Sequence, residues 1–218
     1  MVVDASRVTY ESGGDLLDDR SVNLSDKKTL AVYADQARDY AEMVQGIPVD
    51  GNLERFLAAL PAGGHVLDWG CGAGNASAVM RERGHRVTST DASEAFAIVA
   101  SESYGIDVRE PFPELGEENE FDGIWANFSL LHAPKSEMPN NLALAYRAVK
   151  SGGKFCIGLK TGTGERRDSI GRFYAYYEDS EITDLMQQAG FSVTDRRTGS
   201  DIGLDGKNWS WIVLFADA

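Results

Sequence analysis

Two cysteines stand in 218 residues, and neither has the spacing of a metal ligand. A disulfide scaffold is therefore not expected, and Cys71 and Cys156 read as small buried residues. No apolar run approaches the roughly 20 residues that span a bilayer, so no transmembrane segment and no membrane partner are expected. The opening MVVDASRVTYESGGDLLDDR lacks the basic-then-apolar layout of a secretion signal, and the expected location is the cytoplasm. Positive charge is short as well: 21 basic side chains against 34 acidic ones leave a net charge of −13. Nucleic-acid binding draws most of its affinity from neutralising phosphates, so RNA and DNA are not expected as partners. Neither an internal repeat nor a second domain is evident. A hydrophobic content of 43% and a charged content of 25% are ordinary, and this length buries one good core. The expected organisation is a loose arm over residues 1–24 and one domain over 25–218, in which 25–62 form a helical cap.

What is present centres on His65 to Ser77, HVLDWGCGAGNAS. An apolar strand (Val66, Leu67) runs into Asp68, then into Gly70, Gly72 and Gly74, and a helix opens. Glycine at alternate positions accepts positive φ and removes the Cβ wall, so backbone can approach a ligand closely. The next apolar segment, Arg86 to Thr90, ends in Asp91. Strand, glycine turn, helix, strand and acid make one right-handed βαβ unit with the acid at the carboxyl edge of the sheet. A carboxylate there can accept two hydrogen bonds from ribose hydroxyls, which implies a nucleoside ligand. Asp68 argues against a pyrophosphate and for a cation, and Asn75 stands where a third dinucleotide-type glycine would be.

Val66-Leu67-Asp68-Trp69-Gly70-Cys71-Gly72-Ala73-Gly74 resembles the first motif of the class I S-adenosylmethionine-dependent methyltransferases, and Thr90-Asp91-Ala92-Ser93 resembles their acidic segment. The resemblance continues through Phe121–His132 and Gly152–Lys160. It implies an α/β, Rossmann-like three-layer sandwich: a mostly parallel seven-stranded sheet with an antiparallel strand near the C-terminus. It also implies S-adenosyl-L-methionine as methyl donor, a small-molecule acceptor, and S-adenosylhomocysteine as product. Carried over by position, the cofactor contacts are Asp68, Gly70, Cys71, Gly72, Gly74, Asp91 and Ala92, with Tyr40 over the cofactor, Phe112 at the adenine and Asn127 near the methionine half. Where amide-methylating relatives carry Asn-Pro-Pro and an aromatic, this chain has Asn127-Phe128-Ser129-Leu130, which disfavours nucleobase or glutamine amides as acceptors.

Along the chain, Ser25 is the expected cap of a helix whose apolar face is Tyr33, Ala37, Tyr40, Ala41 and Val44. A short helix with Leu53, Phe56, Leu57 and Leu60 precedes the first strand. Later elements are a helix from Asn75 to Arg83, a Ser93-capped helix to Ser103, and strands at Ile106–Val108 and Phe121–Asn127. A Ser136-capped helix to Lys150, a strand at Phe155–Leu159 and a helix at Glu181–Gln188 follow. The strands Phe191–Asp195 and Trp209–Phe215, joined by a short connection, are expected to pair antiparallel.

In-line methyl transfer needs alignment above all, so the lack of a catalytic triad or metal cluster does not argue against an enzyme. A base is required only where the acceptor must lose a proton; His132 is the candidate, and a structural histidine is the alternative. Lys160–Tyr177 adds Arg166, Arg167, Arg172 and several aromatics at the carboxyl end of a strand, with Arg172 and Tyr174 as candidate acceptor contacts in a lid, or else as hairpin packing. Two other functions compete: an NAD(P)-binding oxidoreductase, which also uses an acid like Asp91, and a cofactor-binding protein without transfer.

Overall fold

Alternating short apolar runs and amphipathic helices become a layered α/β unit in the computed structural model, which describes residues 26–45, 51–109 and 118–218. The first helix, α1 (Lys27–Gln45), starts at Asp26, whose carboxylate accepts the Thr29 backbone N–H at 2.9 Å and its hydroxyl at 3.0 Å. The cap is thus Asp26; Ser25 and the arm 1–24 lie outside the described residues, as does the Val44 side chain. Next come α2 (Gly51–Ala58), β1 (His65–Trp69), α3 (Asn75–Glu82), β2 (Arg86–Thr90), α4 (Glu94–Tyr104) and β3 (Val108–Arg109). After β4 (Phe121–Asn127), two 3₁₀ turns lead to α5 (Met138–Ala148) and β5 (Val149–Lys160). The chain closes with β6 (Glu165–Arg167), β7 (Phe173–Ala175), α6 (Asp179–Ala189), β8 (Ser192–Ile202) and β9 (Asn208–Asp217).

The main sheet has seven strands in the order β3-β2-β1-β4-β5-β9-β8. β1 pairs parallel with β2 and β4, β2 with β3, and β4 with β5, while β9 runs antiparallel to both β5 and β8. The expected antiparallel strand is therefore β9. The strand order reverses between β1 and β4, which leaves a crevice at the carboxyl ends of those strands.

Period-two alternation places Leu67, Ile124, Phe155, Ile157, Ile212 and Leu214 against α5 and α6, where Leu142, Ala145, Ile182 and Met186 are fully buried. The opposite face sets Val66, Trp125, Cys156 and Val213 against Leu53, Phe56 and Leu57 of α2 and Met80 of α3. Burying one large aliphatic side chain contributes roughly 1.5–3 kcal/mol, so the two faces hold the layers together without polar help. A smaller cluster joins α1 to α4 through Ala37, Tyr33 and Tyr40 on one side and Phe96 and Val99 on the other.

Several boundaries differ from those read in the sequence. β5 begins at Val149, because Gly152 (φ 75°) and Gly153 let the backbone bend without leaving the sheet. Ser136 lies inside a 3₁₀ turn, Lys135–Glu137, and α5 starts only after it. β3 is displaced to Val108–Arg109 because Ile106 is spent on packing, buried beneath Gly74. The final strands are longer than expected and overhang the sheet as a hairpin, with Trp211 paired to Gly199 across it.

Candidate active site

A cavity of about 540 Å³ opens above the glycine turn, in the crevice where the strand order reverses. Its floor is Asp68, Trp69, Gly70, Cys71 and Gly72; Asp91 and Ala92 form one wall; Trp125, Asn127 and Phe128 form another; Tyr33 and Tyr40 of α1 close it from above. All three turn glycines have positive φ, +82° at Gly70, +53° at Gly72 and +87° at Gly74, but they serve different ends. A Cβ on Gly70 would overlap that of Ser129, and one on Gly74 would lie 3.0 Å from both Ala100 Cβ and Ile106 Cδ1. At Gly72 a Cβ meets no atom within 4 Å, because that face looks into the cavity.

A buried carboxylate, Asp68, and a half-buried one, Asp91, flank the turn. Asp91 accepts the Gly72 N–H on Oδ2 and the Ser93 N–H on Oδ1, both at 2.8 Å, which fixes its orientation. With Ala92 N–H also acting on it, the carboxylate still keeps acceptor capacity for a ligand donor. Burial pushes its pKa up, and backbone N–H groups partly oppose this. Asp68 is 2% exposed and accepts a 2.5 Å hydrogen bond from Ser77 Oγ. Burial, aided by the charge of Asp91, lifts its pKa to about 7 against the pull of Ser77. None of the described residues lining the cavity is a lysine or arginine. Asn127 Oδ1, at the end of β4, is buried without a hydrogen-bond partner.

The cavity gathers eight of the ten sequence-expected cofactor residues; Gly74, the ninth, supports the turn from below. Phe112, the tenth, lies outside the described residues. Cys71 lines the floor, and burial raises its thiol pKa, so it stays a protonated, small apolar group. Tyr40 packs edge-on to Phe96 at 5.5 Å, and burial raises its hydroxyl pKa to about 12.

His132 also lines the cavity, but its ring nitrogens are both engaged. Nδ1 lies 2.7 Å from the Phe173 carbonyl oxygen, which can only accept, so Nδ1 carries the proton. Nε2 therefore accepts from the Tyr33 hydroxyl at 2.9 Å. Burial lowers the pKa of the imidazole to about 4, with Arg172 and Lys160 adding to that against the pull of the Phe173 carbonyl and Asp168, so the ring is neutral at pH 7.

Arg172 and Tyr174, the expected lid contacts, do not line the cavity. Both are buried behind His132: Arg172 pairs with Asp168 at 2.8 Å and donates from Nη1 to Tyr33 Oη at 3.2 Å, and the Tyr174 ring centre lies 4.6 Å from that of His132. The Lys160–Tyr177 segment is the β6–β7 hairpin, and it braces the wall instead of covering the opening. Arg167 is exposed and grips Asp26 through two hydrogen bonds, 2.7 and 2.8 Å, which ties the hairpin to the start of α1. Lys160 lies against Tyr174 and Trp209, its Nζ 3.7 and 4.4 Å from the ring centres, and burial lowers its pKa to about 8.

Sequence reasoning missed Phe128, Trp125 and Leu53 as cavity residues. Phe128 has φ +58°, rare for a side chain of this size, and nothing in its neighbours announces that turn.

A family model described as a methyltransferase domain matches residues 40–196. The chain belongs to this family. It falls with the class I S-adenosylmethionine-dependent methyltransferases that the glycine turn resembles. An uncharacterized methyltransferase of Staphylococcus carnosus is 23% identical over 177 residues, covering 79% of this chain and 80% of that one. Among solved structures, the 1,6-didemethyltoxoflavin-N1-methyltransferase of Burkholderia thailandensis, with 1,6-didemethyltoxoflavin and S-adenosylhomocysteine bound, superposes with a TM-score of 0.67 at 24% identity over 87% of each chain. A [4+2]-cyclase superposes at 0.68 with 17% identity over 88% of this chain and 96% of that one. Phosphoethanolamine N-methyltransferase 2 of Haemonchus contortus gives 0.64 at 17% identity, covering 84% of this chain and 57% of that one. At these identities the structures establish a shared fold.

Proposed function

We propose that this chain binds S-adenosyl-L-methionine in the cavity and transfers its methyl group to a small-molecule acceptor by in-line displacement. The observation that carries the reading is the make-up of the site: the buried Asp68 and the half-buried Asp91 on either side of an open glycine, both able to ionise beside a cation, with no described lysine or arginine in the lining. A sulfonium and an ammonium are attracted to such a place, whereas a pyrophosphate is repelled, which disfavours the NAD(P) reading. Asp91 fits a ribose, since its remaining lone pairs face the cavity. Asp68 and the unpartnered Asn127 Oδ1 fit the ammonium end. Gly72 leaves the space that such close approach needs.

When bound, S-adenosylmethionine supplies a methyl carbon whose bond to sulfur breaks as the acceptor's lone pair forms the new bond. The chain's own contribution is to hold, align and dry the reacting groups; good alignment supplies roughly 7–11 kcal/mol of a barrier of this kind. Tyr33, Tyr40 and Phe96 place aromatic surface over the opening and keep water out. The volume of about 540 Å³ is large enough for the cofactor together with a small acceptor. The division into a helical cap over 25–62 and one domain over 25–218 is part of this proposal.

The test is a titration of the purified chain with S-adenosylmethionine, S-adenosylhomocysteine and NADH, followed by a screen of small acceptors for S-adenosylhomocysteine release. Binding of the first two and not of NADH supports the reading. Binding with no release by any acceptor supports instead a protein that holds the cofactor without transfer.

A further inference from the structure

We infer that the acceptor is a neutral, flat aromatic molecule that packs on Phe128 and attacks through a pyridine-type ring nitrogen, so that methyl transfer uses no base and the donor's positive charge passes to the product. This rests on the methyl-transfer reading above and names the acceptor class for that site.

Asp91 stands at the end of β2, and β1 separates it from the residues that follow β4, so the acceptor end is the side of the cavity beyond β4. With Asn127 placed at the ammonium, the polar side chains lining this end are Thr29, Tyr33, Ser129 and His132. Each already gives its hydrogen to another protein group. Thr29 Oγ donates to Asp26 at 3.0 Å and accepts the Phe173 N–H at 2.8 Å. The Ser129 hydroxyl donates to the Trp69 carbonyl. His132 Nδ1 donates to the Phe173 carbonyl at 2.7 Å, and its Nε2 is filled by the Tyr33 hydroxyl at 2.9 Å. Tyr33 Oη in turn accepts from Arg172 Nη1 at 3.2 Å and from the Tyr174 hydroxyl. Among the described side chains at this end, no hydroxyl or ring N–H is left to donate and no basic nitrogen is left vacant.

This saturation selects the acceptor. A carboxylate or phosphate needs donors or cations, and the described lining holds no lysine or arginine. A phenol or a ring N–H sheds a proton as its new bond forms, and an alkylammonium, with a pKa of about 10, must shed one before it can attack. Asp68 and Asp91 belong to the cofactor end and are not placed to take it. A pyridine-type nitrogen attacks as it stands. Its lone pair forms the bond to the methyl carbon while the electron pair of the carbon–sulfur bond stays with sulfur. The ring becomes an N-methyl cation, the sulfonium becomes a neutral thioether, and no proton moves. Of the large apolar side chains described as exposed, Phe128 is the one that lines the cavity. Its ring, edge-on to Trp211 at 6.4 Å, offers a planar acceptor an apolar surface, and an aromatic face attracts the charge that the acceptor gains.

Quinoline, isoquinoline, naphthol, benzylamine and benzoate are compared on the full chain by release of S-adenosylhomocysteine. Turnover is expected with quinoline or isoquinoline, giving the N-methyl cation by mass spectrometry. No proton should be released per turnover in weakly buffered solution, and kcat in heavy water should match that in light water. Phe128→Gly keeps the φ of +58° without strain. It should raise the acceptor KM about tenfold or more and leave the S-adenosylmethionine Kd within about threefold of the parent, while Phe128→Tyr restores the KM. Turnover confined to naphthol, benzylamine or benzoate overturns the inference. So does turnover with none of the five while S-adenosylmethionine binds, release of a proton in each turnover, or an unchanged acceptor KM in Phe128→Gly. Failure of S-adenosylmethionine to bind at all would instead overturn the proposed function.

Discussion

Asp68→Asn separates the cost of a buried carboxyl from its use. With its pKa raised from 3.8 to about 7, Asp68 holds its proton in the folded, ligand-free protein while the unfolded chain has already released it. The stability associated with this group is present in full below about pH 4 and is lost as pH rises through about 7, by about 4 kcal/mol in all. Asparagine keeps the size of the side chain and an amide oxygen to receive the Ser77 hydroxyl, now 2.5 Å from Asp68, but it has nothing to ionise. Urea denaturation of the ligand-free proteins should find the variant more stable by roughly 1–2 kcal/mol at pH 5 and by roughly 3–5 kcal/mol at pH 8. Binding should show the opposite preference: at pH 8 the variant should hold S-adenosylmethionine about 2 kcal/mol or more weakly, as for a truncated buried charge pair. A stability gap that stays flat or narrows with rising pH would refute the reasoning, because Asp68 would then be ionised in the free protein.

The turn glycines give a second comparison. Gly72→Ala has room for its Cβ and should cost only about 1–2 kcal/mol for the left-handed φ, while losing most cofactor affinity by filling the cavity face. Gly70→Ala should fail earlier, as a soluble-yield and melting defect, because its Cβ collides with Ser129. Asp26→Ala removes both the α1 cap and the grip of Arg167; a loss of about 1–2 kcal/mol for the cap should appear as faster hydrogen exchange confined to the start of α1. Lys160→Met replaces a buried ammonium packed on Tyr174 and Trp209, and urea denaturation at pH 7 should find it at least as stable as the parent, since burial holds the lysine pKa down near 8.

How much of this the chain discloses depends on the range of the interaction. The βαβ unit was legible because its signals are local: Val66-Leu67 reads as a strand, Gly70 to Gly74 as a turn, and Asp91 stands one element later. The fold class and the place of the site follow from that unit and the final hairpin. The partners of the site residues were not legible, because they come from distant segments: Ser129 under Gly70 is 59 positions on, and the Tyr33–His132 bond spans 99. His132 stood out as a candidate, yet its proton position is set by the Phe173 carbonyl, a backbone group with no trace in side-chain pattern. Arg172 read as an acceptor contact in a lid or as hairpin packing; Asp168, four positions earlier, neutralises it and lets it be buried. Arg167 shows the reverse: it is exposed, and its use is to hold α1.

Isothermal titration of the full chain with S-adenosylmethionine and with NADH, repeated near pH 6 in buffers of different ionisation enthalpy, tests the charge argument most directly. The account expects S-adenosylmethionine to bind with release of up to one proton, as the cation draws Asp68 into its ionised form, and expects affinity to rise with pH until about 7 and then level. NADH should give no saturable heat. Tight NADH binding beside silence from S-adenosylmethionine, or S-adenosylmethionine binding with proton uptake, would contradict it.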